Sequence, residues 1–317
     1  MNVRGRYAPS PTGTTHLGNA STALLAWLSV RARGGAYVIR MEDLDRARVV
    51  KGSAEGILDD LRWLGLDWDE GPDRGGPFAP YAQSERGERY VAAFERLRAE
   101  RGVYPCFCSR KDIQSAVSAP QAPGDEALYP GTCRDLPPSE ISRRLASGAA
   151  PAWRFRVDPA GLPPFTDRVR GLYEADPGSI GDFVVLRADG APAYQLAVVV
   201  DDIAMQISEV VRGDDLLAST VRQLLLYRAL GAPPPAFAHV PLLMGDDGVR
   251  LSKRHRGVTL RELRAAGESA EAIVGRLAHR HGLRETAAPI SARALEGSVP
   301  YRRMPGGLVA SSVLGGE

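Results

Sequence analysis

Apolar residues recur at two different periods along the chain, and the switches between them mark out its elements. Val3 to Ala8 is a short strand-type run that ends at Pro9, and Pro9, Pro11 and Gly13 then force a loop. Ala20 to Arg33 follows with Leu24, Leu25 and Leu28 at helical spacing, Asn19 or Ser21 as its cap and Gly34-Gly35 as its stop. Ala36 to Arg40 is a second compact strand. Strand, loop, helix and strand in that order predict a parallel pair with a right-handed crossover. Ser53 to Leu64 and Glu85 to Arg101 read as amphipathic helices, the second with Tyr90, Phe94 and Leu97 on one face.

The pattern then breaks. From Tyr104 to about Gly181 the chain holds all three cysteines, many prolines and short strand-like pieces such as Trp153 to Val157. Ser115 to Ala127 is small and polar with Pro120 and Pro123, and is expected to be a mobile loop. An α/β pattern returns with Tyr194 to Val200, a buried-type apolar run read as a strand and ending in Asp201-Asp202. Ile207 to Val211 is strand-like, Ser219 to Leu230 is a helix stopped by Gly231, and His239 to Met244 is a further strand. Glu268 to His281 makes one more helix, and from Ala287 the periodicity is lost. The expected organisation is a catalytic core in two halves, 1–103 and 191–265, split by an inserted subdomain, 104–190. A short helical extension, 266–286, and a disordered tail, 287–317, complete it.

Composition narrows the class without choosing a function. With 317 residues, 44% apolar and 25% charged, this is an ordinary globular chain long enough for two or three units. No apolar run approaches a bilayer span, so no membrane partner is expected. The N-terminus has no basic-then-apolar signal region, and three cysteines make no disulfide framework, so a cytoplasmic location is expected. A net charge of +2 gives no global case for nucleic-acid binding; any such surface must be local.

The candidate chemistry lies in two distant segments. Arg6-Tyr-Ala-Pro-Ser-Pro-Thr-Gly13 leads into His16-Leu-Gly-Asn19 at a helix start, and Arg250-Leu-Ser-Lys-Arg254 is a basic loop carrying Lys253. A helix N-terminus, a histidine and a lysine are the groups that hold and stabilise the phosphates of a nucleotide. Taken alone, a His-x-Gly is weak, and a Ser-Lys pair in a basic stretch is usually solvated surface. Neither a Walker-type loop nor a Gly-x-Gly-x-x-Gly is present, so the spacing supports only a nucleotide-binding α/β protein.

Four motifs in order carry more. The two segments, together with Arg40-Met-Glu-Asp-Leu-Asp45, resemble the glutamate branch of class I aminoacyl-tRNA synthetases over roughly residues 3 to 265. His16 to Asn19 resembles that family's HIGH signature and Arg250 to Arg254 its KMSKS signature, with Asn19 in place of the final His and Arg250 in place of the first Lys. The resemblance implies a Rossmann-like parallel sheet with an inserted zinc-containing subdomain. It implies catalytic roles for His16 and Lys253, and ATP binding, with Mg²⁺, by Pro9, His16, Gly18, Asn19 and Lys253. It implies a glutamate pocket made by Arg6, Ser10, Glu42, Tyr194 and Arg212. Physically, two carboxylates call for cations and an ammonium for an anion. Singly, Arg6 and Glu42 are more often structural ion-pair members, and Tyr194, in an apolar run, is more often core.

Cys106-Phe-Cys108 and Cys133 are by spacing alone better explained by buried thiols in a reducing protein than by a metal. With Tyr129, however, they resemble the structural zinc site of a family subgroup, in which the four are the ligands. Only sixty-four residues follow Lys253, which resembles the shortened glutamyl-queuosine tRNA(Asp) branch. That branch implies a monomer whose partners are glutamate, ATP and queuosine-modified tRNA(Asp). Its reaction is tRNA-independent glutamate activation, then transfer to queuosine in the anticodon. The alternatives are a shortened synthetase charging a tRNA 3′ end, a small-molecule adenylate-forming ligase and a non-catalytic RNA-binding paralogue. Arg250 to Arg264, with six basic residues against one Glu, is either a solvated face or an RNA contact.

Overall fold

The computed structural model describes residues 3–109, 111–113, 128–244, 258–298 and, for the backbone, 308–309. The expected mobile loop, 115–127, falls wholly in 114–127 and the lysine loop in 245–257, both outside the described residues.

Strand β1 (Arg4–Tyr7) enters helix α1 (Leu17–Arg31), which returns to β2 (Ala36–Ile39); α2 (Ser53–Trp63) and α3 (Gly87–Ala99) follow. The inserted segment contributes β3 (Val103–Cys106), α4 (Pro138–Ala146), β4 (Ala152–Phe155), the hairpin strands β5 (Phe165–Asp167) and β6 (Gly171–Tyr173), and β7 (Phe183–Leu186). Then come α5 (Tyr194–Ala204), β8 (Glu209–Gly213), α6 (Leu217–Ala229), β9 (Ala236–Val240), α7 (Leu260–Ala265) and α8 (Ala270–Arg280).

The central sheet is parallel with strand order β2-β1-β8-β9. Successive residues of a strand face opposite sides, and the two cores follow that alternation. Tyr37, Ile39, Val211, Ala238 and Val240 join one core with α1, α2, α7 and α8. Val38, Val210 and Phe237 join the other with α3, α5 and α6. α1 is buried nearly all round and presses close to β1: a Cβ at Gly5 would stand 2.4 Å from Val30 Cγ2. The insertion folds as an antiparallel sheet of order β3-β4-β7 plus the β5–β6 hairpin, which packs on β9.

Three expectations are corrected. α1 starts at Leu17 rather than Ala20, because His16 supplies the N-cap with extended backbone and its carbonyl accepts from the Ala20 N–H at 3.0 Å. Tyr194 to Val200 is the start of helix α5, not a strand. A short run apolar on every side fits a buried strand and a buried helix equally, and its valines favoured the wrong one. Residues beyond Ala287 are not a structureless tail throughout. Ala292 and Leu295 are buried in the first core, and the carbonyls of Ala287 and Ala288 approach α8 so closely that a Cβ at Gly275 would lie 2.3 Å from Ala288 O. The Leu308–Val309 backbone also pairs in parallel with Leu243–Met244. No helix among the described residues is long and apolar enough to cross a membrane.

Candidate active site and cysteine cluster

The chain leaves β1 toward β2 on one side and β8 toward β9 on the other, so a crevice opens between the carboxyl ends of β1 and β8. Ligands of open α/β sheets bind at such switch points. A cavity of about 320 Å³ lies there, and its lining includes Arg6, Pro9, Ser10, Gly18, Asn19, Glu42, Tyr194 and Arg212. Eight of the residues singled out from the sequence therefore share one cavity. His16 is not in its wall but caps the helix that forms one side, and Lys253 lies outside the described residues.

The first turn of α1 faces this space. Its intrahelical bonds begin with Ala20, so the Gly18 and Asn19 amides belong to the unpaired first turn. A Cβ at Gly18 would meet nothing within 4 Å. The Leu17 N–H donates to Val258 O at 3.0 Å and the Leu260 N–H to Thr15 O at 2.9 Å. These bonds hold the chain just after the lysine loop against the histidine segment.

Behind the cavity lies a charge network built on the Asp201-Asp202 pair of α5. Arg6 forks onto Asp202 through Nε and Nη2, both at 3.3 Å. Arg40, fully buried, donates to Asp202 at 2.6 Å and to Glu42 at 3.1 Å, with Nε 3.7 Å from Asp201. Asp201 also accepts from Arg86 at 2.6 Å, Gln83 at 2.8 Å and Tyr90 at 2.9 Å. Burial pushes the Asp202 carboxyl up, but Arg6 and Arg40 outweigh it and hold the group below its usual range. At Glu42 burial wins over the same two arginines, and its carboxyl is raised. Tyr194 is 40% exposed and borders the opening, so it is not core.

On the opposite wall Arg212 donates through Nε to His239 Nε2 at 3.0 Å and through Nη2 to Thr220 Oγ1 at 2.7 Å. Sequence reasoning gave no role to Asp202, Arg40, His239, Thr220 or Asp167. The usable signal was strand alternation, which places Arg6, Arg40, Arg212 and His239 on the face of Val38, Val210 and Phe237.

Counting the charged cavity residues and their direct ion partners gives Arg6, Arg40, Arg48 and Arg212 against Glu42, Asp202 and Asp215, with Asp201 matched to Arg86. Among the described residues one positive charge is left over. The site can take a small zwitterion with an additional carboxylate next to the unpaired amides of a helix N-terminus.

The second cluster lies in the insertion. The sulfurs of Cys106, Cys108 and Cys133 lie within 4.8 Å of one another. Cys108 Sγ is 3.6 Å from Cys133 Sγ, and Tyr129 Oη is 3.4 Å from Cys106 Sγ and 3.7 Å from Cys108 Sγ. Four ligand atoms about 2.3 Å from a tetrahedral zinc stand roughly 3.8 Å apart, so the donor set fits such an ion. Arg154 donates from Nε to Cys106 Sγ at 3.2 Å and lies 3.8 Å over the Tyr129 ring, a cation beside groups that would be anionic as ligands. The long spacer from Cys108 thus does not keep Tyr129 away.

Comparison with known proteins shows the family. The catalytic-domain profile of the tRNA synthetases class I (E and Q) matches residues 2–291. The chain is 54% identical over 95% of its length to a glutamyl-Q tRNA(Asp) synthetase of Symbiobacterium thermophilum, covering 93% of that protein. It is 53% identical over 89% of its length to one of Nitratidesulfovibrio vulgaris, covering 87%. Against glutamate--tRNA ligase 1 of Halorhodospira halophila identity is 46% over 88% of this chain, which spans 58% of that protein. The crystal structure of a glutamate tRNA ligase from Elizabethkingia meningosepticum, in complex with its amino acid, superimposes with a TM-score of 0.85 at 30% identity, covering 98% of this chain and 68% of that one. Profile, relatives and fold agree: the chain belongs to the class I tRNA synthetases of the glutamate and glutamine branch.

Proposed function

We propose that the protein activates glutamate with ATP and transfers it to queuosine in the anticodon of tRNA(Asp). The observation that carries the first half is the cavity, with one surplus positive charge among its described residues and their ion partners, matched to an amino acid with two carboxylates and one ammonium. The two glutamyl-Q relatives, similar along nearly their whole length, support the acceptor.

Glu42 takes the substrate ammonium, a role suited to a carboxylate whose own ionisation is disfavoured until a cation arrives. Arg212 and the edge of Arg6 outside its fork with Asp202 hold the carboxylates, and Ser10 and Tyr194 supply hydroxyls at the rim. Held in this way, the α-carboxylate attacks the α-phosphorus of ATP. A P–O bond forms to the carboxylate and the P–O bond to the β-phosphate breaks, releasing pyrophosphate. The α1 amides of Gly18 and Asn19 and the side chains of His16 and Lys253 stabilise the charge on the phosphates, with Mg²⁺ accompanying the nucleotide. A ring hydroxyl of queuosine then attacks the acyl carbon, AMP leaves, and the hydroxyl proton passes to solvent or to the leaving phosphate. Incubation with radiolabelled glutamate, ATP and tRNA(Asp) with or without queuosine tests the acceptor. Label should enter only the modified tRNA, and equal incorporation into both would reject it.

The cysteine cluster holds one structural zinc, with Cys106, Cys108, Tyr129 and Cys133 as ligands; four protein ligands leave no open position for chemistry. Purified protein should carry about one zinc per chain by elemental analysis, and Cys133→Ser close to none. Equal zinc content in the two proteins would remove the assignment.

A further inference from the structure

One buried chain of hydrogen bonds has no part in the scheme above. It starts in the insertion at Asp167, which is 2% exposed and ends strand β5. Asp167 Oδ1 accepts from the Val169 and Arg170 amides, both at 2.9 Å, and Oδ2 accepts from the His239 amide at 3.1 Å. Oδ2 also lies 2.6 Å from His239 Nδ1. So many N–H donors outweigh burial and keep the Asp167 carboxyl below its usual range. An ionised carboxylate at that distance requires a proton on Nδ1. In a neutral ring Nε2 is then the acceptor, and the Arg212 Nε–H meets it at 3.0 Å. Burial depresses the imidazole pKa, which favours the neutral form.

Thr220 completes the clamp, accepting from Arg212 Nη2 at 2.7 Å. Phe237 lies 5.3 Å under the guanidinium. Nε and one Nη2 hydrogen are thereby fixed. Arg212 Nη1 is buried with no hydrogen-bond partner among the described residues, in a residue that lines the cavity. A buried guanidinium nitrogen without a partner is costly unless a ligand satisfies it.

We propose that Asp167, His239 and Thr220 are positioning residues that aim the guanidinium of Arg212, and its unpaired Nη1, at a carboxylate of the bound amino acid. This rests on the glutamate site proposed above. The relay begins in the insertion and ends in the catalytic sheet, so docking of the β5–β6 hairpin on β9 is part of building the amino-acid pocket. Second partners of this kind typically matter by about 10- to 100-fold.

Two replacements of His239 separate aiming from simple packing. His239→Asn places an N–H near Asp167 and removes the acceptor for Arg212. His239→Gln loses the Asp167 bond but can present a carbonyl oxygen to Arg212. In glutamate-dependent ATP–pyrophosphate exchange, His239→Asn should raise the KM for glutamate by about 10- to 100-fold, with the KM for ATP moving less than about 2-fold. His239→Gln should recover most of that loss despite being the less stable of the two by thermal unfolding. A purely structural role predicts the reverse order, since Asn keeps the buried Asp167 satisfied. Thr220→Val, which keeps the shape, should raise the glutamate KM about 5-fold. The proposal is overturned if Asn is milder than Gln, or if Asn and Thr220→Val leave the glutamate KM unchanged while the wild type exchanges normally. Failure of the wild type to exchange with glutamate would bring down the site and the relay together.

Discussion

Asp202→Asn should lower the stability of the protein by about 3–5 kcal/mol, the usual result of removing one partner from a buried ion pair. At about 2.1 cal/mol/K of unfolding entropy per residue over 317 residues, that is a fall of roughly 5–8 °C in melting temperature. Arg6 and Arg40, 5% and 0% exposed, both converge on this carboxylate. Arg40 retains Asp201 and Glu42, whereas Arg6 loses its fork. The pH dependence follows from the depressed carboxyl. A group whose folded pKa lies below its unfolded value of about 3.9 contributes stability above that value and loses it as pH falls through the folded pKa. The asparagine variant lacks that contribution, so its stability should fall less steeply than wild type as pH drops below about 4. Glutamate use should suffer as well, since Arg6 would no longer be held by the fork that sets its edge toward the cavity. A melting temperature within about 1 °C of wild type would show that Asp202 is not the keystone of the network.

The parts of the site that sequence made legible are those whose chemistry is local. The loop of Pro9, Pro11 and Gly13 must break a strand, and His16 to Asn19 must sit at a helix start, whatever the rest of the fold does. Arg6 and Arg212 lie in strands short enough for their faces to follow from alternation. What escaped was pairing across the sheet. Asp201 and Asp202 end an apolar run, and such a run gives no sign whether the acids point to solvent or, as here, anchor three arginines. Taking that run for a strand hid the answer, because only a helix lying over the sheet can bring both carboxylates down onto β1 and the residue after β2.

The insertion and the end of the chain were unreadable for another reason: their order comes from distant contacts. Asp167 carries no local signal, lying between Thr166 and Arg168 in a three-residue strand, yet it is fixed by β9, seventy-two residues on. Tyr129 follows a long spacer, and only the folded chain returns its hydroxyl to Cys106 and Cys108. Ala292 and Leu295 sit in a stretch with no periodicity, and their burial depends on the face of α8 that Gly275 leaves bare. Pattern reports what a segment can bury, not what another segment will place on top of it.

His16→Ala should slow glutamate-dependent pyrophosphate exchange by about 100- to 1000-fold in kcat, the range for loss of one preorganised donor to transition-state charge. Structure should hardly change. The φ of −81° and ψ of 155° at His16 are open to alanine, and the side chain makes no capping bond; the backbone carbonyl starts the helix. The pairing of residues 15–17 with 258–260 likewise runs through backbone atoms, so α7 keeps that support, while the electrostatic contact of the imidazole with the exposed Glu262 is lost. The KM for ATP should move little, because a contact that strengthens only as the phosphates gain charge is not felt in the ground state. A large rise in that KM with kcat preserved would instead make His16 a nucleotide-binding residue with no share in the chemical step. Exchange at the wild-type rate would mean that the α1 amides and the lysine loop suffice without the imidazole.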